Sequence, residues 1–132
     1  MKAFTNYFYC IILMCTLSLS LSSCETDDPR DRYERTDYLS SRRWADEWVE
    51  NGIRYYQEFT FYDNYTGSEY FYQEDAMGRR SESTYRFDWD WNGYSSIYMR
   101  YANGTSYMEH ISLGGNELRC ILDGEEVIFR GI

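Results

Sequence analysis

A strict alternation of aromatic and polar side chains is the feature that most constrains the fold of this chain. Between residues 84 and 91 every second residue is aromatic, at Tyr85, Phe87, Trp89 and Trp91. A period of two places successive side chains on opposite faces of a β-strand. The pattern therefore predicts a half-buried strand with one aromatic face. The same period recurs, more weakly, in three other runs: Phe59 and Phe61, Ile97 and Met99, Val127 and Phe129.

Turn dipeptides separate such runs at fairly regular spacing. They are Asn51-Gly52, Asn92-Gly93, Asn103-Gly104, Gly114-Gly115-Asn116 and Asp123-Gly124, with a longer loop at Asn64–Gly67. Asn-Gly and Asp-Gly tolerate the positive φ angles of tight hairpins, so successive strands should be antiparallel neighbours. We count about eight strands, near residues 41–49, 53–62, 68–74, 83–91, 95–102, 105–113, 117–122 and 125–131.

These strands predict an all-β fold, an antiparallel meander that closes, or nearly closes, into a small barrel. A sandwich or an open roll is the alternative. Residues 41–49 are the least strand-like part. Trp44 and Trp48 are four residues apart, which also suits one face of a short helix, and Ala45-Asp46-Glu47 is not typical of a strand.

The N-terminus has the three parts of a secretory signal. Lys2 supplies a positive charge, residues 8–21 form an apolar run, and Leu21-Ser22-Ser23-Cys24 follows as a processing site. Small residues before a cysteine match the lipobox of bacterial lipoproteins, in which the thiol of that cysteine is acylated. The apolar run is shorter than the roughly 20 residues that span a bilayer. We therefore expect residues 1–23 to be a lipoprotein signal peptide and Cys24 to be the lipidation site.

The chain changes character twice after Cys24. Residues 24–38 contain the only proline and nine charged residues, and we interpret them as a lipidated N-terminus with an acidic tether. Glu25-Thr26-Asp27-Asp28 resembles the acidic signal that exports Bacteroidetes lipoproteins to the outer face of the outer membrane. A solvated linker is the plainer interpretation of the same residues. Residues 39–132 form the predicted barrel domain.

The domain from Leu39 to Ile132 resembles the small lipocalin-like lipoproteins of Bacteroidetes. The features that carry the resemblance are Leu39 to Trp44, the run from Phe87 to Gly93, Ile97-Tyr98-Met99, Ile111-Ser112-Leu113, Asn116-Glu117-Leu118 and Val127-Ile128-Phe129-Arg130. No glycine precedes Trp44, and its spacing from Leu39 is one residue longer than the family pattern. The resemblance implies a lipocalin-like barrel and an outer-membrane, cell-surface location. It implies no ligand, because the family is largely uncharacterised.

Charge and residue inventory exclude several functions. After residue 23 the chain carries 12 arginines, no lysine and 22 acidic residues, a formal net charge of −10. Such a surface disfavours nucleic acid, which requires a basic face. Residues 88–93 match the start of a calcium loop, but Met99 occupies the position of the required glutamate. We therefore expect no metal site and no cofactor.

Catalytic chemistry has few candidates. His110 is the only histidine, and its neighbour Glu109 would face the opposite side of a strand. Cys120 is the only free thiol of the processed chain, and its alternation with Leu118 and Leu122 predicts burial. We find no catalytic residues and predict that the protein is not an enzyme.

Aromatic side chains are the remaining candidates for binding. We predict that the barrel interior, and any ligand site within it, is lined by Tyr55, Tyr70, Tyr72, Phe87, Trp89 and Trp91. Tyr56, Tyr62, Tyr98 and Tyr101 are then expected outside. The leading hypothesis is a non-catalytic binding module that is held at the membrane by acyl chains on Cys24. Its ligand would be a small apolar molecule, a glycan or a protein. The alternative is an envelope protease inhibitor or immunity-type protein acting through the loops Asp63–Gly67 or Asp75–Ser83.

Overall fold

A computed structural model describes residues 29–132. Within these residues one helix, α1, spans Pro29–Ser40 and precedes eight strands. The strands are β1 Trp44–Glu50, β2 Ile53–Phe61, β3 Thr66–Glu74, β4 Arg80–Trp91, β5 Ile97–Tyr101, β6 Gly104–Gly114, β7 Glu117–Leu122 and β8 Glu125–Gly131.

The eight strands form a closed antiparallel barrel in chain order. β1 closes the barrel by pairing with β8, through Trp44 opposite Gly131 and Ala45 opposite Arg130. This confirms the predicted all-β meander, and residues 44–50 are strand rather than helix. Antiparallel connectivity puts the turns after β1, β3, β5 and β7 at one end, which we call the open end. The other connections and α1 lie at the opposite end, which we call the closed end.

Alternation fixes which side chains face inward. The buried core comprises Leu39 from α1 and twelve strand residues: Trp44, Phe59, Phe61, Phe87, Trp89, Trp91, Ile97, Met99, Met108, Leu118, Cys120 and Phe129. Four phenylalanines contact one another through the barrel centre, with ring centroids 5.3–6.3 Å apart. Burial of this much aromatic surface is the main stabilising contribution to a domain of this size.

Gly67 shows how closely this core is packed. A Cβ at this buried position would lie 2.5 Å from the ring of Phe87 and 2.6 Å from the carbonyl oxygen of Thr60. Only glycine allows β3 to pass so close to the aromatic face of β4. The pairing of Gly67 with Phe87 also sets the register of the two strands.

Helix α1 replaces most of the tether that the sequence predicts over residues 24–38. The helix has no continuous apolar face, and of residues 30–40 only Thr36 and Leu39 are buried. It is held by the barrel instead. The indole Nε1 of Trp91 donates to Thr36 Oγ1 at 2.8 Å, and Nε1 of Trp44 donates to the Leu39 carbonyl oxygen at 2.8 Å. Tertiary contact, which the sequence pattern does not reveal, therefore orders this polar segment.

The open end has an uneven rim. The pairing of β4 with β5 ends at Phe87 and Tyr101, whereas the pairing of β4 with β3 continues to Arg80. Residues 80–86 consequently extend beyond β5 with strand pairing on one side only. The wall formed by β1 to β4 is therefore taller than the wall formed by β5 to β8.

Candidate functional site

The inner face changes character towards the open end, where side chains are half-buried and several are polar. The register places seven of them on the inner face, above the aromatic core: Asp46, Trp48, Tyr55, Gln57, Glu69, Phe71 and Tyr101. We call this set the inner cup. The inner cup combines partial solvent access with two carboxylates, an amide and aromatic rings.

Three rings of the inner cup form a continuous aromatic wall on the taller side of the barrel. Trp48 and Tyr55 face each other across β1 and β2, with centroids 5.3 Å apart and planes at 19°. Tyr55 also contacts Phe71 of β3 at 6.0 Å. All three are half-buried, so the wall retains surface for a further molecule.

Glu69 is the polar centre of the inner cup. Gln57 Nε2 donates to one carboxylate oxygen at 2.8 Å, and the Tyr101 hydroxyl donates to the other at 3.1 Å. Burial raises the pKa of Tyr101, and the negative charges of Glu69 and Asp123 raise it further. Both donors to Glu69 are neutral, so they orient the carboxylate without cancelling its charge.

Asp46 adds a second carboxylate to the inner cup. It follows Trp44 at an inward position of β1 and is half-buried. Burial raises its pKa, and a hydrogen bond from the Glu47 backbone amide opposes that shift. Desolvation of a carboxylate is unfavourable unless a partner compensates it.

The six aromatic residues predicted to line the interior fall into three groups: a buried group, one half-buried residue in the inner cup, and two residues on the outer face. Phe87, Trp89 and Trp91 face inward as predicted, but they are buried in the filled core and are not available to a ligand. Tyr55 faces inward at the open end, in the inner cup. Tyr101, expected outside, faces inward opposite Phe87.

Tyr70 and Tyr72 are corrections, because they lie on the outer face. The pairing of Gly67 with Phe87 turns the odd-numbered residues of β3 inward, which places these two tyrosines outside. The Tyr70 hydroxyl donates to Glu82 at 2.7 Å, and the Tyr72 hydroxyl donates to Glu74 at 2.8 Å. Each hydrogen bond raises the pKa of its tyrosine.

Tyr56 extends this outer row of tyrosines. Its ring lies 6.1 Å from that of Tyr70, and its hydroxyl donates to Glu58 at 2.6 Å. Burial, followed by the hydrogen bond to Glu58, raises the pKa of Tyr56 to about 12. The ring contact crosses from β2 to β3, whereas the hydrogen bond joins two outward residues of β2. Cross-strand contacts of this kind stabilise a sheet.

A groove of about 800 Å³ crosses the outer face of β3, β4 and β5. Its lining includes Arg86, Asp88 and Arg100, whose side chains are all exposed. Solvated charges on an outer face interact weakly with ligands because water screens them. The inner cup, where polar groups are partly desolvated, is therefore the stronger candidate site.

The remaining sequence candidates take structural roles. Cys120 is a free, buried thiol, and burial raises its pKa to about 12, so it is a poor nucleophile. His110 is exposed at a β-bulge of β6, with a φ of +51°. Asp88 and Asp90 lie on the outer face of β4. In the described part of the chain, no three His, Cys, Asp or Glu side chains are grouped to hold a metal ion.

Cys24 and the predicted signal peptide lie outside the described residues. Over residues 29–132 no helix has the length and apolar character needed to cross a membrane. Comparisons with protein-family models, with curated proteins and with solved structures gave no match.

Proposed function

We propose that this protein is an outer-membrane lipoprotein, acylated at Cys24, whose barrel is a non-catalytic binding module with the inner cup as its ligand site. The observation that carries the proposal is the asymmetry of the barrel. α1 and a dense aromatic core fill the closed end, whereas the open end keeps half-buried aromatic and carboxylate groups. An eight-stranded barrel has room for one small ligand when part of its interior is left unfilled.

The position of α1 supports an orientation on the membrane. Four residues separate Cys24 from Pro29, the first residue of the helix. An extended chain advances at most about 3.6 Å per residue, so Pro29, at the start of α1, is within about 18 Å of the acylated cysteine. The open end then faces away from the bilayer, where a soluble ligand has access to it.

The anchor is supported by the sequence at the N-terminus. Each buried methylene of an acyl chain contributes about 0.8 kcal/mol, and stable attachment takes two chains or one chain with a second signal. Multiple acylation of Cys24 would meet this requirement without a spanning segment. The acidic residues after Cys24 support display on the outer face of the outer membrane.

The anchor is tested by comparing the wild-type protein with Cys24→Ser in the native membrane. The wild-type protein should incorporate labelled fatty acid and sediment with outer-membrane vesicles, and the variant should do neither. A wild-type protein that carries no lipid would overturn the proposal that Cys24 is an acylated membrane anchor.

The orientation is tested by cysteine labelling in liposomes. Met77, at the tip of the turn between β3 and β4, is 82% exposed, and Tyr33, on α1, is 73% exposed. A bulky maleimide should modify Met77→Cys equally fast in liposomes and in detergent. It should modify Tyr33→Cys several-fold more slowly in liposomes. Slower labelling of Met77→Cys than of Tyr33→Cys would contradict the orientation.

Binding at the inner cup is tested through Trp48. Trp48 is half-buried, whereas Trp44, Trp89 and Trp91 are at most 5% exposed. Acrylamide should therefore quench mainly Trp48, and Trp48→Phe identifies its contribution. A library of small organic molecules is screened for protection of Trp48. If no member protects it, the inner cup is not a ligand site.

The protease-inhibitor alternative receives less support from the loop geometry. Residues 75–79 form a tight turn in which Asp75 Oδ1 accepts from the Met77 and Arg79 amides, both at 2.9 Å. Asp75 Oδ2 also pairs with Arg79 Nε at 2.6 Å. Within the loop Asp75–Ser83, the bond that a trypsin-like protease would cut is Arg79-Arg80. This bond begins at a folded turn, whereas a protease requires an extended segment in its active site.

A further inference from the structure

We infer that the inner cup binds a small organic cation of the ammonium class, through the Glu69 and Asp46 carboxylates and the aromatic wall. The inference rests on the proposed function, because it takes the inner cup as the ligand site. It adds the charge of the ligand and the groups that recognise it.

The first argument is the charge of the inner face. Asp46 and Glu69 both face inward and are half-buried. Residues 29–132 contain no lysine, and every arginine of the strands occupies an outward position: Arg54, Arg80, Arg86, Arg100, Arg119 and Arg130. No strand therefore supplies a cation to neutralise the inner cup.

The second argument is the hydrogen bonding of Glu69. Gln57 and Tyr101 each donate one hydrogen bond, which leaves further acceptor positions on both oxygens. A desolvated carboxylate is normally paired with a cation. A bound ammonium group supplies the missing positive charge and offers donors or polarised methyl groups to those free positions.

The third argument compares the aromatic rings of the two ends. At the closed end the chain provides its own cations. The Arg35 guanidinium carbon lies 4.7 Å from the Trp91 ring centroid and 4.1 Å from that of Tyr94, and Arg42 lies 4.4 Å from Tyr38.

At the open end Trp48, Tyr55 and Phe71 have no such cation among the described residues. Aromatic faces attract ammonium groups, and tryptophan does so most strongly. A carboxylate next to such a wall is the usual way to bind an ammonium cation.

The size of the ligand follows from the filled core. Phe59, which pairs with Glu69 across β2 and β3, and Phe87, which contacts Phe59, are both buried and fill the interior beside this carboxylate. The ligand is therefore a small head group, and a longer substituent would extend through the open end.

The test compares choline with 3,3-dimethyl-1-butanol, its neutral isostere, on the full chain in non-ionic detergent micelles. Protection of Trp48 from acrylamide and isothermal titration calorimetry report binding. Choline should bind at least tenfold more tightly than the isostere. Glu69→Gln should weaken choline at least tenfold and leave the isostere unchanged. Glu82→Gln is the matched control, since Glu82 also accepts a tyrosine hydroxyl but lies on the outer face.

The outcomes separate this inference from the proposed function. Equal binding of both compounds would overturn the inference that the ligand is a cation, but would keep the inner cup as a binding site. Choline binding that Glu69→Gln leaves unchanged also overturns it. Small-molecule sites typically work at roughly 1 μM to 1 mM. If choline therefore fails to bind at about 10 mM, the inference of a cationic ligand is overturned. The library screen on Trp48 then decides the proposed function. If circular dichroism shows that Glu69→Gln is unfolded, Asp46→Asn replaces it with the same expectation.

Discussion

The two ends of the barrel are built from the same alternating strands, yet they hold different side chains. At the closed end the inward positions are large and apolar, and α1 covers them with Leu39. At the open end the inward positions of the same strands carry carboxylates, an amide and half-buried rings. Packing at the closed end stabilises the barrel, so the open end is free to retain groups that are costly to desolvate.

The largest expected difference between the ends is in stability. Phe59 is 1% exposed and contacts Phe61, Phe87 and Phe129. Phe59→Ala should lower the free energy of unfolding by about 3–5 kcal/mol, as for other buried phenylalanines. Phe71→Ala, in the half-buried aromatic wall, should lower it by about 1–2 kcal/mol because less buried surface is lost. Urea unfolding measures both, and equal losses would contradict the division into two ends.

Cys120 tests how far the dry core extends towards the open end. Burial raises its thiol pKa from 9.0 to about 12. The unfolded chain therefore loses this proton near pH 9, and the folded chain retains it. The contribution of the thiol to the free energy of unfolding is fully present below pH 9. It falls progressively between pH 9 and 12, by up to about 1.4 kcal/mol per pH unit.

The measurement compares the wild-type protein with Cys120→Ala by urea unfolding across that pH range. Tyrosine ionisation affects both proteins alike, so only the difference between them reports the thiol. The wild-type protein should lose stability more steeply than the variant. Parallel curves would mean that water reaches Cys120 and that the open end is deeper than the structure indicates.

The sequence predicts the closed end better than the open end, and β3 and β4 show why. In β4 aromatic and polar residues alternate, so the inward positions of Phe87, Trp89 and Trp91 can be predicted. In β3 three consecutive residues, Tyr70, Phe71 and Tyr72, are aromatic, so alternation does not distinguish the faces. Only the pairing of Gly67 with Phe87 decides between them.

The inner cup and α1 depend on contacts between residues far apart in sequence. Glu69 and Tyr101 are 32 residues apart, and Thr36 and Trp91 are 55 residues apart. A single sequence has no local signal for either hydrogen bond. The sequence predicts a tether in place of α1 because the few buried residues of the helix are recognisable only when the closed end of the barrel is in place.

Thr36 tests the contribution of α1 to the closed end. Thr36→Val keeps the shape of the side chain but removes the acceptor of the Trp91 indole N–H. A buried donor without a partner costs about 1–3 kcal/mol, and we expect the free energy of unfolding to fall by that amount. Thr60→Val, at a half-buried outer position of β2, is the control and should change stability little. Hydrogen exchange of the α1 amides should become faster in Thr36→Val alone.

The smallest expected effect is that of the matching hydrogen bond at the open end. Tyr101→Phe removes the hydroxyl that donates to Glu69 at 3.1 Å and keeps the ring against Phe87. Because Glu69 is half-buried, water can replace the lost donor, and the free energy of unfolding should fall by only about 0.5–1 kcal/mol. A loss as large as that of Thr36→Val would show that the open end is as dry as the closed end. The carboxylates would then be structural, and the inner cup would have lost the solvent access that a ligand site requires.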